Sequence, residues 1–395
     1  MFRSIVTAPT RAITVLSVTQ ILGWGALYYP PALAAPLIAA ETGWSFTLAM
    51  FGFSIGLGVS GLASPFACGM VDRRGGNLVM SVGALVGACG LIAIALAGNP
   101  IVYLLAWVLI GIAMASTLYD ASFSTLTYLF GTAARRPITI VTFAGGLAGT
   151  VAWPATHGLI EVVGWRGAYL VFAAILALVV APLHAFALPR EKIVAPATPH
   201  APSAAPPAKF LAPRGLPFVL IAAGFSVHAF VMSGIAAHLL GMLQRGGIDA
   251  GSAVMVGALI GPAQVVSRFA DFATRGRAHP LWIARMGMAL MAAAFVLLLL
   301  GGISFEHAAL FAIVYGTANG IMTIARGALT LLLFGPVGYG QVLGRIARPA
   351  QILQATAPFV LAFVIDWSSD AAVLAISAVA TLVAMSCFWM LKRPA

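Results

Sequence analysis

LPREKIVAPATPHAPSAAPPAKFLAPRG runs from Leu188 to Gly215. It is rich in Pro and Ala and poor in large apolar residues, so it neither sustains a helix nor buries itself. The chain on either side of it is of another kind. The 395 residues are 61% hydrophobic and only 8% charged, against about 25% charged in an ordinary soluble domain. A globular protein cannot use so much apolar surface, because its outside must still be wetted.

Working outward from the Pro/Ala segment, apolar runs near the 20 residues needed to span a bilayer fall six before it and six after it. They cover roughly 12–39, 46–68, 77–97, 101–130, 138–160 and 166–188, then 216–242, 251–272, 280–302, 306–333, 342–365 and 371–391. None alternates over about ten residues as barrel strands do. The expected architecture is an all-α membrane protein of twelve transmembrane helices in two pseudo-symmetric six-helix bundles. Residues 1–188 form the first, 189–215 a cytoplasmic linker and 216–395 the second.

The net charge of +11 does not point to nucleic acid. Basic residues sit in short clusters at the ends of apolar runs, such as Arg73-Arg74, Arg135-Arg136 and Lys392-Arg393, which is a topology signal. With both termini in the cytoplasm, all but four of the 21 Lys and Arg fall on the inner side. The four are Arg166 and Arg245 outside, and Arg268 and Arg326 within spans. Glu41, Glu161, Asp249, Glu306, Asp366 and Asp370 lie at outer ends. The expected location is a bacterial-type cytoplasmic (inner) membrane. Cys68, Cys89 and Cys387 have no Cys-x-x-Cys spacing and read as small packing residues. The first apolar run is too long for a signal peptide.

The halves read as a diverged repeat. Pro358 lies 204 residues after Pro154. The same offset joins Phe334-Gly335 to Phe130-Gly131, Gly247 to Gly43, and Arg277 to Arg73. One offset across several landmarks implies a parallel six-helix repeat.

Between the second and third runs stands GMVDRRGGN, with Gly69, Asp72, Arg73 and Gly75. The glycines permit a tight turn, and Asp72 and Arg73 can meet helix ends or opposite charges. The bland reading makes the arginines topology determinants only. This spacing, with the twelve runs, the linker and the repeat, resembles the major facilitator superfamily along the whole chain. The resemblance implies alternating access, a gating role for this loop, and a cavity lined by spans one, four, seven and ten. In the second half RFADFATRGR keeps Arg268, Asp271 and Gly276 but lacks the Asp-Arg pair. GWGALYYPP (Gly23 to Pro31) and ARRPITIVTFAGGLAG are similar to parts of the monocarboxylate and oxalate–formate carriers. The drug-antiporter signature is incomplete, since Thr150 follows Gly149 where Pro is expected.

Asp120 lies about ten residues before the inner end of span four, roughly 15 Å at 1.5 Å per residue, near mid-membrane. In lipid a carboxylate there costs about 2.5–3.5 kcal/mol or more, so it should face a cavity or a partner. Arg326 in IMTIARGALT has a similar depth, and the repeat maps Asp120 within two residues of it. The functional reading is an anion-binding arginine beside a titratable aspartate; the bland one is a structural ion pair. His228, 204 residues after Trp24, is either a satisfied interior histidine or a proton carrier. Trp24 and Tyr28 share a helix face and either shape a pocket or pack. Asn319 and Gln264 are further pocket candidates. Arg268 reads as a gate or snorkelling residue, and His157, His184 and His307 as interfacial.

No nucleotide loop, metal cluster, cofactor motif or catalytic triad occurs, so neither an ATP-driven pump nor an enzyme is expected. The expected function is secondary, proton-coupled transport of a small organic anion by a monomer embedded in the bilayer. The alternative is proton-driven efflux of a drug-like or amphipathic compound.

Overall fold

The computed structural model describes residues 7–191, 193, 215–273, 279–334 and 339–391. Most of the Pro/Ala segment, and Arg277, lie outside them. Every regular element among the described residues is helical. The chain divides into two compact units, Met1–Ala197 and Thr198–Ala395.

The first unit contains α1 (Ala8–Leu27), α2 (Pro31–Thr42), α3 (Phe46–Arg74), α4 (Gly76–Leu96), α5 (Pro100–Thr117), α6 (Tyr119–Phe130), α7 (Arg135–Gly146) and α8 (Ala148–Ile175). The second contains α9 (Leu216–Arg245), α10 (Ala250–Ala273), α11 (Pro280–Gly301), α12 (Phe305–Phe334), α13 (Tyr339–Trp367) and α14 (Asp370–Met390). Side-chain caps fix several starts. Ser45 accepts from the Leu48 amide, Asn99 from Val102 and Ser369 from Ala372.

Eleven helical stretches among the described residues are long and apolar enough to cross a bilayer. One of them, Arg136–Ala187, has 52 residues. At 1.5 Å per residue it would reach about 78 Å, against a hydrocarbon core of about 30 Å. Gly164 breaks it with φ 69° and ψ 173°, a backbone open to glycine and few others. The stretch therefore crosses twice, and twelve spans result. Leu62, Phe66, Leu96, Val162, Leu178, Phe186 and Leu300 stand fully outward, faces that require hydrocarbon around them.

Three spans of the first unit are interrupted. α1 and α2 part at Tyr28–Pro30, α5 and α6 at Leu118, and α7 and α8 at Leu147. Beyond α8 the sixth span ends in π-helical turns at Leu176–Val180 and Leu183–Ala187. α4 takes up carbonyls there. Ser81 donates to the Ala181 carbonyl at 3.1 Å, and Asn77 to those of His184 at 3.2 Å and Leu188 at 2.8 Å. His184, expected at an interface, is instead fully buried, with Nε2 2.9 Å from the Thr19 hydroxyl. A polar group of this kind enters the bundle only where a partner awaits it.

Packing repeats the 204-residue offset. A Cβ on Gly111 would collide with the Gly56 carbonyl, and one on Gly316 with the Ile260 carbonyl. Ile260 lies 204 residues after Gly56, and Gly316 lies 205 after Gly111. Gly43 and Gly247 both have positive φ, 73° and 98°. Arg166 Nε donates to Glu41 Oε1 at 2.9 Å, with its guanidinium 4.3 Å from the Trp165 ring centre. In the second unit Arg245 makes two hydrogen bonds to Asp370, at 2.9 and 2.7 Å. Arg245 falls 204 residues after Glu41, and Asp370 falls 204 after Arg166. The two ion pairs occupy equivalent positions with their signs exchanged. They also give acidic partners to the two arginines that depart from the expected charge pattern.

Candidate functional site

In the first unit the site is built on two interrupted spans. Pro30 and Pro31 supply no amide hydrogen, so the ladder stops at Tyr28 and Tyr29, whose N–H groups share the Trp24 carbonyl at 3.0 and 3.3 Å. At the other break Leu118 is extended (φ −84°, ψ −159°), and the freed Thr117 carbonyl accepts from Gln20 Nε2 at 2.7 Å. Gln20 is wholly buried. Its Oε1 accepts from Trp24 Nε1 at 3.2 Å. Gln20 thus ties span one to the break in span four, a role that no local sequence signal announces.

The Trp24 ring lies 5.0 Å from Tyr28 and 5.1 Å from Tyr119 between ring centres, and Tyr119 stacks on Phe123 at 5.0 Å. Tyr119 seats over Gly145, where a Cβ would collide with the phenol, and donates to the Thr142 carbonyl at 3.3 Å. Tyr28, for which pocket and packing both stood open, is 5% exposed and packs on Phe53 and Tyr29.

Asp120 is exposed and sits in the first turn of α6. Unsatisfied amides at a helix start favour a negative charge. Ser64 Oγ on α3 donates to Asp120 Oδ2 at 2.6 Å. The sequence reading named Arg326 as the partner of Asp120; Ser64, within the same unit, is the partner it missed.

In the second unit His228 on α9 and Asn319 on α12 are buried and interact, and the Arg326 charge acts on the imidazole. His228 Nε2 and Asn319 Oδ1 make no hydrogen bond among the described residues. Arg326 is exposed on α12. Arg268, expected to snorkel or gate, is 8% exposed. Its Nη2 donates to Gln264 Oε1 at 3.2 Å and to Thr323 Oγ1 at 3.3 Å. A guanidinium inside a bundle needs acceptors, and here they join α10 to α12. Arg268 stands 204 residues after Ser64, and Thr323 stands 203 after Asp120. The seam bridged by serine and carboxylate in one unit is bridged by arginine and threonine in the other.

At the loop motif, Gly75 ends α3 with φ 79°, its N–H donating to the Val71 carbonyl at 2.8 Å. Gly76 follows it into α4, against Thr125. Gly69 does not form the turn. It lies inside α3, with open space where a Cβ would be. Asp72 and Arg73 are exposed, and among the described residues neither makes an ion pair. Asp271 falls in α10; its side chain lies outside the described residues.

Residues 14–347 match the Major Facilitator Superfamily. An uncharacterized 38 kDa protein in the 23S RNA operon of Thermoproteus tenax is 32% identical over 177 residues, 44% of this chain and 46% of that protein. The chain thus spans less than half the length of that curated relative. Two crystal structures of a bacterial homolog to the human lysosomal transporter Spinster share the fold. The inward-facing, occupied form has a TM-score of 0.74 at 15% identity, covering 98% of this chain and 97% of that one. The inward-facing, unoccupied form has a TM-score of 0.68 at 14% identity, covering 98% and 95%. Matched by the family across most of its length, and folded as a twelve-span helical protein, the chain belongs to the Major Facilitator Superfamily and is a multi-pass membrane transporter.

Proposed function

We propose that the chain is a secondary active transporter working by alternating access between its two units, and that it moves a small, monocarboxylate-like organic anion together with a proton. One observation carries this reading. A carboxylate and a guanidinium, Asp120 and Arg326, are both exposed at positions near equivalence in spans four and ten. Intramembrane charges left unburied by their own bundle are expected at a substrate path.

In this reading Arg326 holds the anion, flanked by His228 and Asn319, and Trp24 is a further substrate contact. When anion occupies Arg326, Asp120 takes up a proton. Without the anion the carboxylate stays ionised, supported by Ser64 and the start of α6. Substrate and proton then share one charge balance, which is a coupling free energy. Gly75, Asp72 and Arg73 serve the cytoplasmic gate, and residues 189–215 form a cytoplasmic linker between the bundles. Both termini face the cytoplasm in a bacterial-type inner membrane, and the transporter acts as a monomer.

The Trp24, Tyr119 and Phe123 cluster favours a second reading, proton-driven efflux of an amphipathic compound, because aromatic faces suit such cargo. Reconstituted proteoliposomes separate the two. Uptake of a panel of labelled short-chain organic acids should rise when a pH gradient is imposed and fall when it is collapsed. Gradient-driven movement of amphipathic dyes with no acid transported would replace the first reading by the second.

A further inference from the structure

α3 and α6 run side by side in constant register. Ser64 meets Asp120 at 2.6 Å. One turn toward the cytoplasm, Cys68 interacts with Ser124. One turn further stand Asp72 and Tyr128, with the Tyr128 ring against Gly75. Each α6 residue lies 56 positions after its α3 counterpart, and each step is four residues, so the six share the facing sides of two helices. The Cys68 thiol lies within electrostatic reach of both Asp120 and Asp72. The lipid face of the same stretch of α3 is Leu62, Phe66 and Met70, all exposed. Hydroxyls, a thiol and carboxylates thus line one seam from mid-membrane to the loop motif, while hydrocarbon lines the other side.

We propose that this seam is the route by which protons travel between the cytoplasm and Asp120. The proposal rests on the reading of Asp120 as the proton carrier. Ser64 passes its hydroxyl proton to Asp120 Oδ2 and receives another from the cytoplasmic side, so Ser64 ends unchanged and Asp120 ends neutral. No electrons move. The rise of one turn is about 5.4 Å, two hydrogen-bond lengths, so Ser124, Cys68 and single water molecules close the gaps. Asp72, at the aqueous end, attracts protons to the seam. Other ionisable groups on the elements around it are few. Arg73 and Arg74 end α3, Arg135 and Arg136 begin α7, and Arg11 and Glu41 lie on α1 and α2. α6 adds Tyr119, α5 holds Tyr103, and α4 carries only Cys89.

The test is infrared difference spectroscopy of the full-length protein in lipid after a rapid acid jump, following the carboxylic acid C=O band that is absent from Asp120→Asn. In wild type this band should rise quickly. In Cys68→Val/Ser124→Ala, which leaves Ser64 and Asp120 untouched, it should rise about tenfold more slowly, as expected for a lost relay hydrogen bond. Cys68→Ser should restore the rate, because the hydroxyl relays where the valine cannot; this variant also guards against a packing artefact. Asp72→Asn should slow the rise to a lesser degree. Wild-type rates in the double variant overturn the route. Absence of any Asp120 band at every pH overturns the proton-carrier reading instead, so the two failures are distinct.

Discussion

α1 and α2 part at Tyr28–Pro30, and α5 and α6 part at Leu118, whereas their counterparts in the second unit, α9 and α12, run unbroken for 30 residues each. Residues at the shared offset explain the difference. Gly224 stands where the first unit has Gln20, and Gly234-Ile235 stand where it has Pro30-Pro31. Without the prolines α9 has no reason to stop. Without the glutamine a break in α12 would leave a carbonyl unmatched. The same exchange reaches the next turn. Trp24 gives its N–H to Gln20, while His228, at the Trp24 position, has only Gly224 one turn back and an Nε2 without a hydrogen bond among the described residues. One repeat has thus become two devices. The broken unit presents a carboxylate at a half-helix start, and the continuous unit presents cationic and imidazole groups along an intact helix.

The largest effect should come from removing the charge on either side of that comparison. Arg326→Ala should reduce uptake of an organic acid by two orders of magnitude or more, since the substrate anion would lose its guanidinium partner, a loss of about 2–5 kcal/mol. Asp120→Asn should keep acid binding and lose the pH dependence of uptake. The double variant should combine the two losses and leave stability to heat little changed, because the exposed Asp120 keeps Ser64 as its partner in either background. Proteoliposome uptake across pH and thermal unfolding in detergent read all three. Unchanged pH dependence in Asp120→Asn would mean that the two units do not divide the work in this way.

A smaller effect tests why only one unit is broken. Gln20→Leu removes the donor to the Thr117 carbonyl and the acceptor for the Trp24 indole in one step. Buried groups left unmatched cost about 1–3 kcal/mol, so thermal unfolding should fall by several degrees. Gln20→Glu keeps an acceptor for Trp24 and, as the neutral acid, an O–H donor to Thr117, so at low pH it should fall between the two and lose that advantage as the carboxyl ionises. A Gln20→Leu protein as stable as wild type would show that the Leu118 break holds without its glutamine.

The contrast also separates what the sequence discloses from what it conceals. The twelve spans, the repeat and the loop motif were legible because composition and local spacing carry them. The Leu118 break was not, since no proline or glycine marks it and its support, Gln20, lies 97 residues away. Ser64 was hidden for the same reason, being 56 residues from Asp120. Of the two readings of Arg268, gate and snorkelling, the second rested on depth alone, whereas an acceptor on the neighbouring helix holds the guanidinium inside. Gly69 was misread as a turn because the motif's two glycines look alike, and only Gly75 has the left-handed backbone. The outer ion pairs had a usable signal. Arg166 and Arg245 broke the charge rule, and each has its acid 125 residues away in sequence.

Those outer pairs give the smallest and most exacting comparison. If the units are one design with signs exchanged, the first should accept the second's arrangement. Glu41→Arg alone sets two arginines face to face, and Arg166→Asp alone sets two acids; each should lower stability. Partly exposed ion pairs are worth about 0–1 kcal/mol, so the shifts will be a few degrees at most and should shrink in high salt. Glu41→Arg/Arg166→Asp should recover most of the loss. Recovery should not be complete. The Trp165 indole also donates to Glu41, and the second unit has Ser369 at that position, where it caps α14 instead. A further Trp165→Phe change should therefore cost wild type more than it costs the swapped protein. Full recovery, with equal losses on Trp165→Phe, would mean that the indole contributes nothing to the clamp. No recovery would mean that the two pairs are equivalent in position only.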